Sequence, residues 1–270
     1  AVDAIRAGRG GVRAVLFYGS CRRSRQPGGV LDFYVLVDAY RNYHGSLFRS
    51  LMNYLLPPDV SCLRLASPED GDGAAIAAKV TVISLAQFAW RMRPGSLDTT
   101  LWARFAQPSS LLYTTDEATK RRLIAALEMG IRTACGWAAQ RSPEGANSSQ
   151  FWNQLFTMTY DAELRVERGN RPQIIYDNDA DYYDGIFNAL ELDKPAALRG
   201  SHGSWAARRA AGLPQRLPHE FISGALLLDR MNQFAVSSTA DWIAAAGNLG
   251  MVAWDRDGRQ LWAEDWSKAS

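Results

Sequence analysis

The chain has 270 residues, 47% hydrophobic and 21% charged, the balance of an ordinary globular protein able to bury a sizeable core as one large domain or two small ones. Thirty Lys and Arg against 28 Asp and Glu leave a formal charge of only +2, which gives no support to a dedicated nucleic-acid partner. Three scattered cysteines, Cys21, Cys62 and Cys135, exclude a disulfide framework and a zinc-ligand spacing, and fit a reducing compartment.

The N-terminal segment lacks the apolar core of a secretory signal and is read as structure, because Ala14–Tyr18 already forms a short apolar strand ending at Gly19-Ser20. Val30–Val37, rich in β-branched and aromatic residues, predicts a second central strand. Between them CRRSRQPGG, with three arginines, a proline and two glycines, predicts a loop. Leu47–Leu56 predicts a helix stopped by Pro57-Pro58. A loop over Ser67–Gly73 leads into KVTVIS, Lys79–Ser84, which alternates as a strand, and Leu85–Met92 predicts a helix. Thr114 with Glu117 three residues on gives a capping box, followed by Leu123, Ile124, Leu127, Ile131 and Ala134 at helical spacing. Phe151–Arg165 reads as another helix and Gln173–Tyr176 as a short extended piece. No apolar run approaches the roughly 20 residues of a membrane-spanning helix, the best being Phe221–Leu228.

The stretch FYGSCRRSRQPGGVLDFYVLVD places a strand, a glycine-serine turn, a loop and then a strand bearing Asp32. This layout resembles that of polymerase-β-like nucleotidyltransferases. Gly19 has no Cβ to keep phosphate oxygens away, and Ser20 offers a hydroxyl and a backbone N–H. Arg22, Arg23 and Arg25 carry guanidinium forks that match phosphate geometry, and Asp32 would hold Mg2+. Generic members carry a second acid two positions on, where this chain has Tyr34.

A narrower resemblance is carried by YGS at Tyr18–Ser20, LDF at Leu31–Phe33 and VDAYRNYH at Val37–His44. KVTVIS, ARFAQP at Ala103–Pro108 and YDAELR at Tyr160–Arg165 continue it in order over about the first two thirds of the chain. These pieces resemble the mitochondrial-type phosphatidate cytidylyltransferases, the translocator assembly and maintenance family, whose Asp strand likewise lacks the usual second acid. The resemblance implies an α+β fold: a nucleotidyltransferase-like mixed sheet flanked by helices over residues 1–113, then a mostly helical, in one form winged-helix-like, domain over 114–270.

It further implies a CTP-dependent enzyme that makes CDP-diacylglycerol from phosphatidic acid with Mg2+, placed in the cytoplasm or an organelle matrix and peripherally at the inner membrane surface. Tyr18, Gly19 and Ser20 would cradle the CTP phosphates, and Asp32 would bind the metal with Asp38 or Glu163 as the missing carboxylate. Lys79 and Arg104 would stabilise charge on the reacting phosphates, and Arg165 would place the phosphatidate headgroup. His44 either orients a phosphate and shuttles a proton or is simply a satisfied histidine beside a loop. The tryptophans at 242, 254, 262 and 266 form either an interfacial belt or core contacts. A homo-oligomer stays open. Two other functions fit the same residues: a nucleotidyltransferase acting on RNA, a protein or a small molecule, and a non-catalytic nucleotide or lipid sensor, which Tyr34 favours.

Overall fold

The computed structural model describes residues 1–24, 30–66, 75–96, 99–162 and 171–192, with strand pieces at 253–254 and 260–261. Its centre is a five-stranded mixed sheet built from β1 (Val12–Tyr18), β2 (Leu31–Val37), β3 (Asp59–Ala66), β4 (Ala75–Ser84) and β5 (Ser110–Thr114), in the order β3-β4-β2-β1-β5. The β2–β4 pair is parallel and the other three pairs are antiparallel. β2 is therefore interior, with a hydrogen-bonded strand on each side.

Side chains alternate across a strand, so each strand feeds two cores. One face collects Ile5, Val15, Phe33, Val35, Val37, Val80 and Val82 and is covered by α1 (Val2–Arg6) and by Tyr40 and Tyr43 of α3 (Tyr40–His44). Leu16, Tyr18, Tyr34, Leu36 and Ile83 project from the other face. There they meet α5 (Leu85–Arg91), α6 (Thr99–Phe105), α7 (Glu117–Arg141) and α8 (Ser148–Ala162). Burying one such Leu or Ile contributes about 2 kcal/mol, and the second core holds Trp102, Trp137 and Trp152 almost wholly out of water.

This core continues across residue 113 without interruption, since Leu123, Trp137, Trp152, Ile175 and Tyr183 belong to the same cluster as Leu16 and Tyr34. Thr133 Oγ1 donates to the Met92 carbonyl at 2.7 Å, tying α7 to the end of α5. Trp152 Nε1 donates to the Tyr183 carbonyl at 3.0 Å, tying α8 to α10 (Ala180–Leu192). The chain is thus α+β, with a helix-flanked mixed sheet followed by helices. No described helix is long and apolar enough to cross a membrane.

Three expectations are corrected. Gln173–Tyr176 is not extended but lies in α9 (Arg171–Asn178), where Ile175 fills the core and Gln173 Nε2 donates to Asp177 Oδ1 one turn on. Tertiary packing there overrides the β-branched composition. The first part of the arginine-rich loop is the short helix α2 (Ser20–Ser24), pinned by Cys21 Sγ donating to the Val30 carbonyl at 3.2 Å. The cap of α7 is Asp116 rather than Thr114: Thr119 N–H donates to Asp116 Oδ1 at 2.7 Å. The Ser67–Gly73 loop, the tryptophans at 242, 262 and 266 and most of the winged-helix region fall outside the described residues.

The Asp116 cap carries a pH signature. Hydrogen bonds from the Thr119 N–H and from the Thr115 and Thr119 hydroxyls hold its carboxyl below the ordinary value of 3.8. A depressed folded-state value means the cap stabilises fully above that ordinary value and loses its effect as the pH falls through the lower one. Asp116→Ala is expected to lower the thermal midpoint at about pH 7, and the gap from the parent should close in strong acid, as thermal melts across that range would show.

Candidate functional site

The site is built on one transverse row of the sheet. Tyr18 pairs with Asp32, Asp32 with Lys79, and Lys79 with Cys62, so four side chains from β1, β2, β4 and β3 stand side by side about 5 Å apart. All four share the face that carries Tyr34 and Leu36, because Asp32 is two residues from Tyr34. Immediately after Tyr18, Gly19 turns the chain with φ +88°, and a Cβ at that position would lie 2.3 Å from Asp32 Oδ2 and 3.0 Å from its Cγ. The turn is therefore folded directly against the carboxylate. Ser20 follows, exposed, as the first residue of α2.

Arg104 of α6 reaches the same neighbourhood from the helical layer. Its Cζ lies 5.6 Å from the centre of the Tyr18 ring, and its Nη1 donates to the Tyr34 hydroxyl at 3.4 Å. Tyr34 itself is 1% exposed, packed edge-on against Phe105 at 5.0 Å and tilted against Tyr18 at 5.2 Å. Such aromatic pairs contribute about 1 kcal/mol each beyond burial. Two residues after Asp32 on the same strand, this chain thus has a core aromatic whose hydroxyl meets an arginine.

Burial pushes the Tyr18 phenol well above its usual range, with Arg104 opposing and Asp32 adding to the rise, so the group stays protonated. Its hydroxyl neighbours Thr81, yet neither of these buried hydroxyls completes a well-formed hydrogen bond. Cys62 is exposed as a residue, but neighbouring atoms shield its thiol from water, and that desolvation raises its pKa while Lys79 opposes.

Arg22 is turned toward the helices. Its Nη1 lies 3.4 Å from Asp179 Oδ1, at the junction of α9 and α10, with both side chains about one-fifth exposed. Arg22 Nε and Asp179 Oδ2 remain buried without hydrogen-bond partners. The Arg23 side chain, Arg25, Glu163 and Arg165 lie outside what is described.

Two predicted site residues do not join this row. Asp38 follows β2 at its far end, six residues from Asp32 and so roughly 20 Å away along an extended strand. It accepts from Asn42 Nδ2 at 3.1 Å and faces Arg13 at 3.8 Å. It cannot share an ion with Asp32. His44 is also elsewhere: its ring packs on Tyr40 and Tyr43, which belong to the opposite core. His44 Nε2 is 2.9 Å from Asn53 Oδ1 and 4.0 Å from Asp59 Oδ2, beside the Val82 rung of β4. Of the two readings of this histidine, the structural one matches its surroundings.

No family model matches the chain, and no curated protein matches it. The site must be argued from its own geometry.

Sequence reasoning missed Thr81 and Cys62. Thr81 was within reach of it, because it stands two residues from Lys79 and a strand repeats its face every second residue. Cys62 required the β3–β4 register, and Asp179 as the partner of Arg22 required a tertiary contact across 157 positions.

Among the described residues no group of three His, Cys, Asp or Glu could by itself hold a metal. A protein-only cage is thus not offered there. One carboxylate on an ordered strand beside a glycine turn does suit a Mg2+ ion that arrives with a nucleoside triphosphate, since that ion takes one or two carboxylates, phosphate oxygens and water.

Proposed function

We propose that the protein is a nucleotidyltransferase that transfers CMP from CTP to phosphatidic acid, releasing pyrophosphate and forming CDP-diacylglycerol. The observation that carries the transferase reading is the Gly19 turn lying against Asp32, with Lys79 next along the sheet and Arg104 above. The CTP and phosphatidate assignments rest on the resemblance of the YGS, LDF and KVTVIS segments.

Gly19 and Ser20 would receive the triphosphate, where only a residue without Cβ lets the chain approach the carboxylate and the phosphates together. Asp32, with Glu163 as the candidate second carboxylate, would hold Mg2+. That ion, when bound, supplies positive charge to the phosphate oxygens. A phosphatidate oxygen attacks the α-phosphorus of CTP in line. The new P–O bond forms as the bond to the bridging oxygen breaks, and pyrophosphate leaves with the electron pair. The nucleophile is already anionic, so no strong base is required, which accords with His44 standing elsewhere. Lys79 and Arg104 would stabilise the charge that builds on the transferred group, and Tyr18, held protonated, offers a donor beside them.

Incubation with labelled CTP and phosphatidate, with and without a chelator, is expected to give chelator-sensitive CDP-diacylglycerol; labelled product from ATP and a non-lipid acceptor instead would redirect the assignment to another nucleotidyltransferase. A non-catalytic nucleotide sensor is favoured by Tyr34 filling the second-acid position. Binding of CTP with no pyrophosphate release under any acceptor would establish that reading.

A further inference from the structure

Helix α4 (Leu47–Leu55) is docked inside out. The one buried residue of this helix is Asn53, whose Nδ2 donates to the Val82 carbonyl at 3.3 Å and whose Oδ1 meets His44. The Tyr54 carbonyl accepts from Gln87 Nε2 at 2.9 Å. Polar groups thus hold the helix to the body. Leu47, Phe48, Leu51, Tyr54 and Leu55 are 53–69% exposed. At about 100° per residue they form one stripe roughly 120° wide, the width that an amphipathic helix ordinarily turns toward a core. Single exposed apolar residues are normal, but a continuous stripe of five marks a contact surface.

Its surroundings specify the contact. Trp90, 54% exposed, lies one turn beyond Gln87, whose side chain reaches the Tyr54 end of the stripe. Arg93, exposed, follows one turn after Trp90, and Arg41 is exposed on α3 just before the helix; neither Ala39–Pro58 nor Leu85–Ser96 contains an acidic residue. Asp59, at the start of β3, is turned toward His44. An apolar stripe in acid-free surroundings, with exposed arginines on the neighbouring segments and Tyr and Trp at its margin, matches a bilayer interface carrying negative charge.

We infer that α4 and Trp90 form the face by which this protein inserts into an anionic lipid surface. This deepens the proposed function by naming how a lipid acceptor is reached, and it rests on that reading for its purpose, although its observations come from a different part of the molecule.

Flotation with phosphatidylcholine vesicles containing about 30% phosphatidylglycerol tests the surface without offering a substrate. The parent chain is expected to float, and to float less at high salt or on phosphatidylcholine alone. The Phe48→Ser/Leu51→Ser double variant should lose about tenfold or more of its vesicle binding, and Arg93→Glu should weaken it in a salt-dependent way. Ile124→Ser, at a half-exposed position on the outer side of α7, should change nothing. CTP binding in solution should be equal in all variants, so failure of the nucleotide reading and failure of this one give different results. The inference is overturned if the parent stays with the soluble fraction, or if the double variant floats as well as the parent. It is also overturned if Ile124→Ser loses as much, or if the double substitution converts a dimer to a monomer with flotation unaltered, which would make the stripe an interface between copies.

Discussion

Asp32→Asn is expected to reduce magnesium-dependent pyrophosphate release by about a thousandfold, the equivalent of roughly 4 kcal/mol of transition-state stabilisation. The substitution keeps the shape of the side chain and removes its charge. Asp32 lies at the rim of β2, on the row shared with Tyr18 and Lys79, while the strand's hydrophobic residues sit deeper in the two cores. The fold should therefore survive. Circular dichroism and thermal unfolding should match the parent, and the thermal shift given by Mg2+ with CTP should be lost, a readout that does not depend on turnover. Full activity in this variant would remove Asp32 from the mechanism.

Gly19→Ala is expected to act through two separable effects. The backbone stands at φ +88°, where a side chain costs about 1–2 kcal/mol. The added methyl would also lie 2.3 Å from Asp32 Oδ2, closer than a non-bonded carbon and oxygen can approach, and it would force the carboxylate aside. Displacing a reacting group by about 1 Å costs on the order of a hundredfold in rate. Gly45 provides the control, because its φ is +64° but a Cβ there meets nothing within 4 Å. Gly45→Ala should show a comparable fall in stability by urea unfolding with transfer unchanged, whereas Gly19→Ala should lose both. Equal activities in the two variants would show that the glycine contact with the acid has no part in the chemistry.

β1, β2, the second half of β4 and the helices α4, α5, α7 and α8 were legible because their signals are local, whereas β5 went unread. Val30–Val37 reads as an apolar run, and β2 indeed feeds a core on each face. Leu123 and Ala134 mark the buried side of α7 by spacing alone, although Ile124, counted with them, is half exposed. β3 gave no such signal. It is an edge strand whose Cys62 is exposed and whose Ser61 is buried, so the alternation that marks a half-buried strand is blurred. The turn at Gly19 and the acid at Asp32 were legible as types, and their mutual contact depends on the β1–β2 register. The fates of Asp38 and His44 were not legible. Both follow Asp32 closely in sequence, but an extended strand carries the chain the full depth of the sheet in six residues, and nearness along the chain becomes remoteness in space.

An acid borne on an interior strand differs from one borne on a loop in its freedom before any ligand arrives. β2 is stitched to β1 on one side and β4 on the other, so the mount beneath Asp32 has no hinge. The entropy of fixing that anchor is met once, when the chain folds, and a ligand entering later needs to order only itself and the residues of the turn.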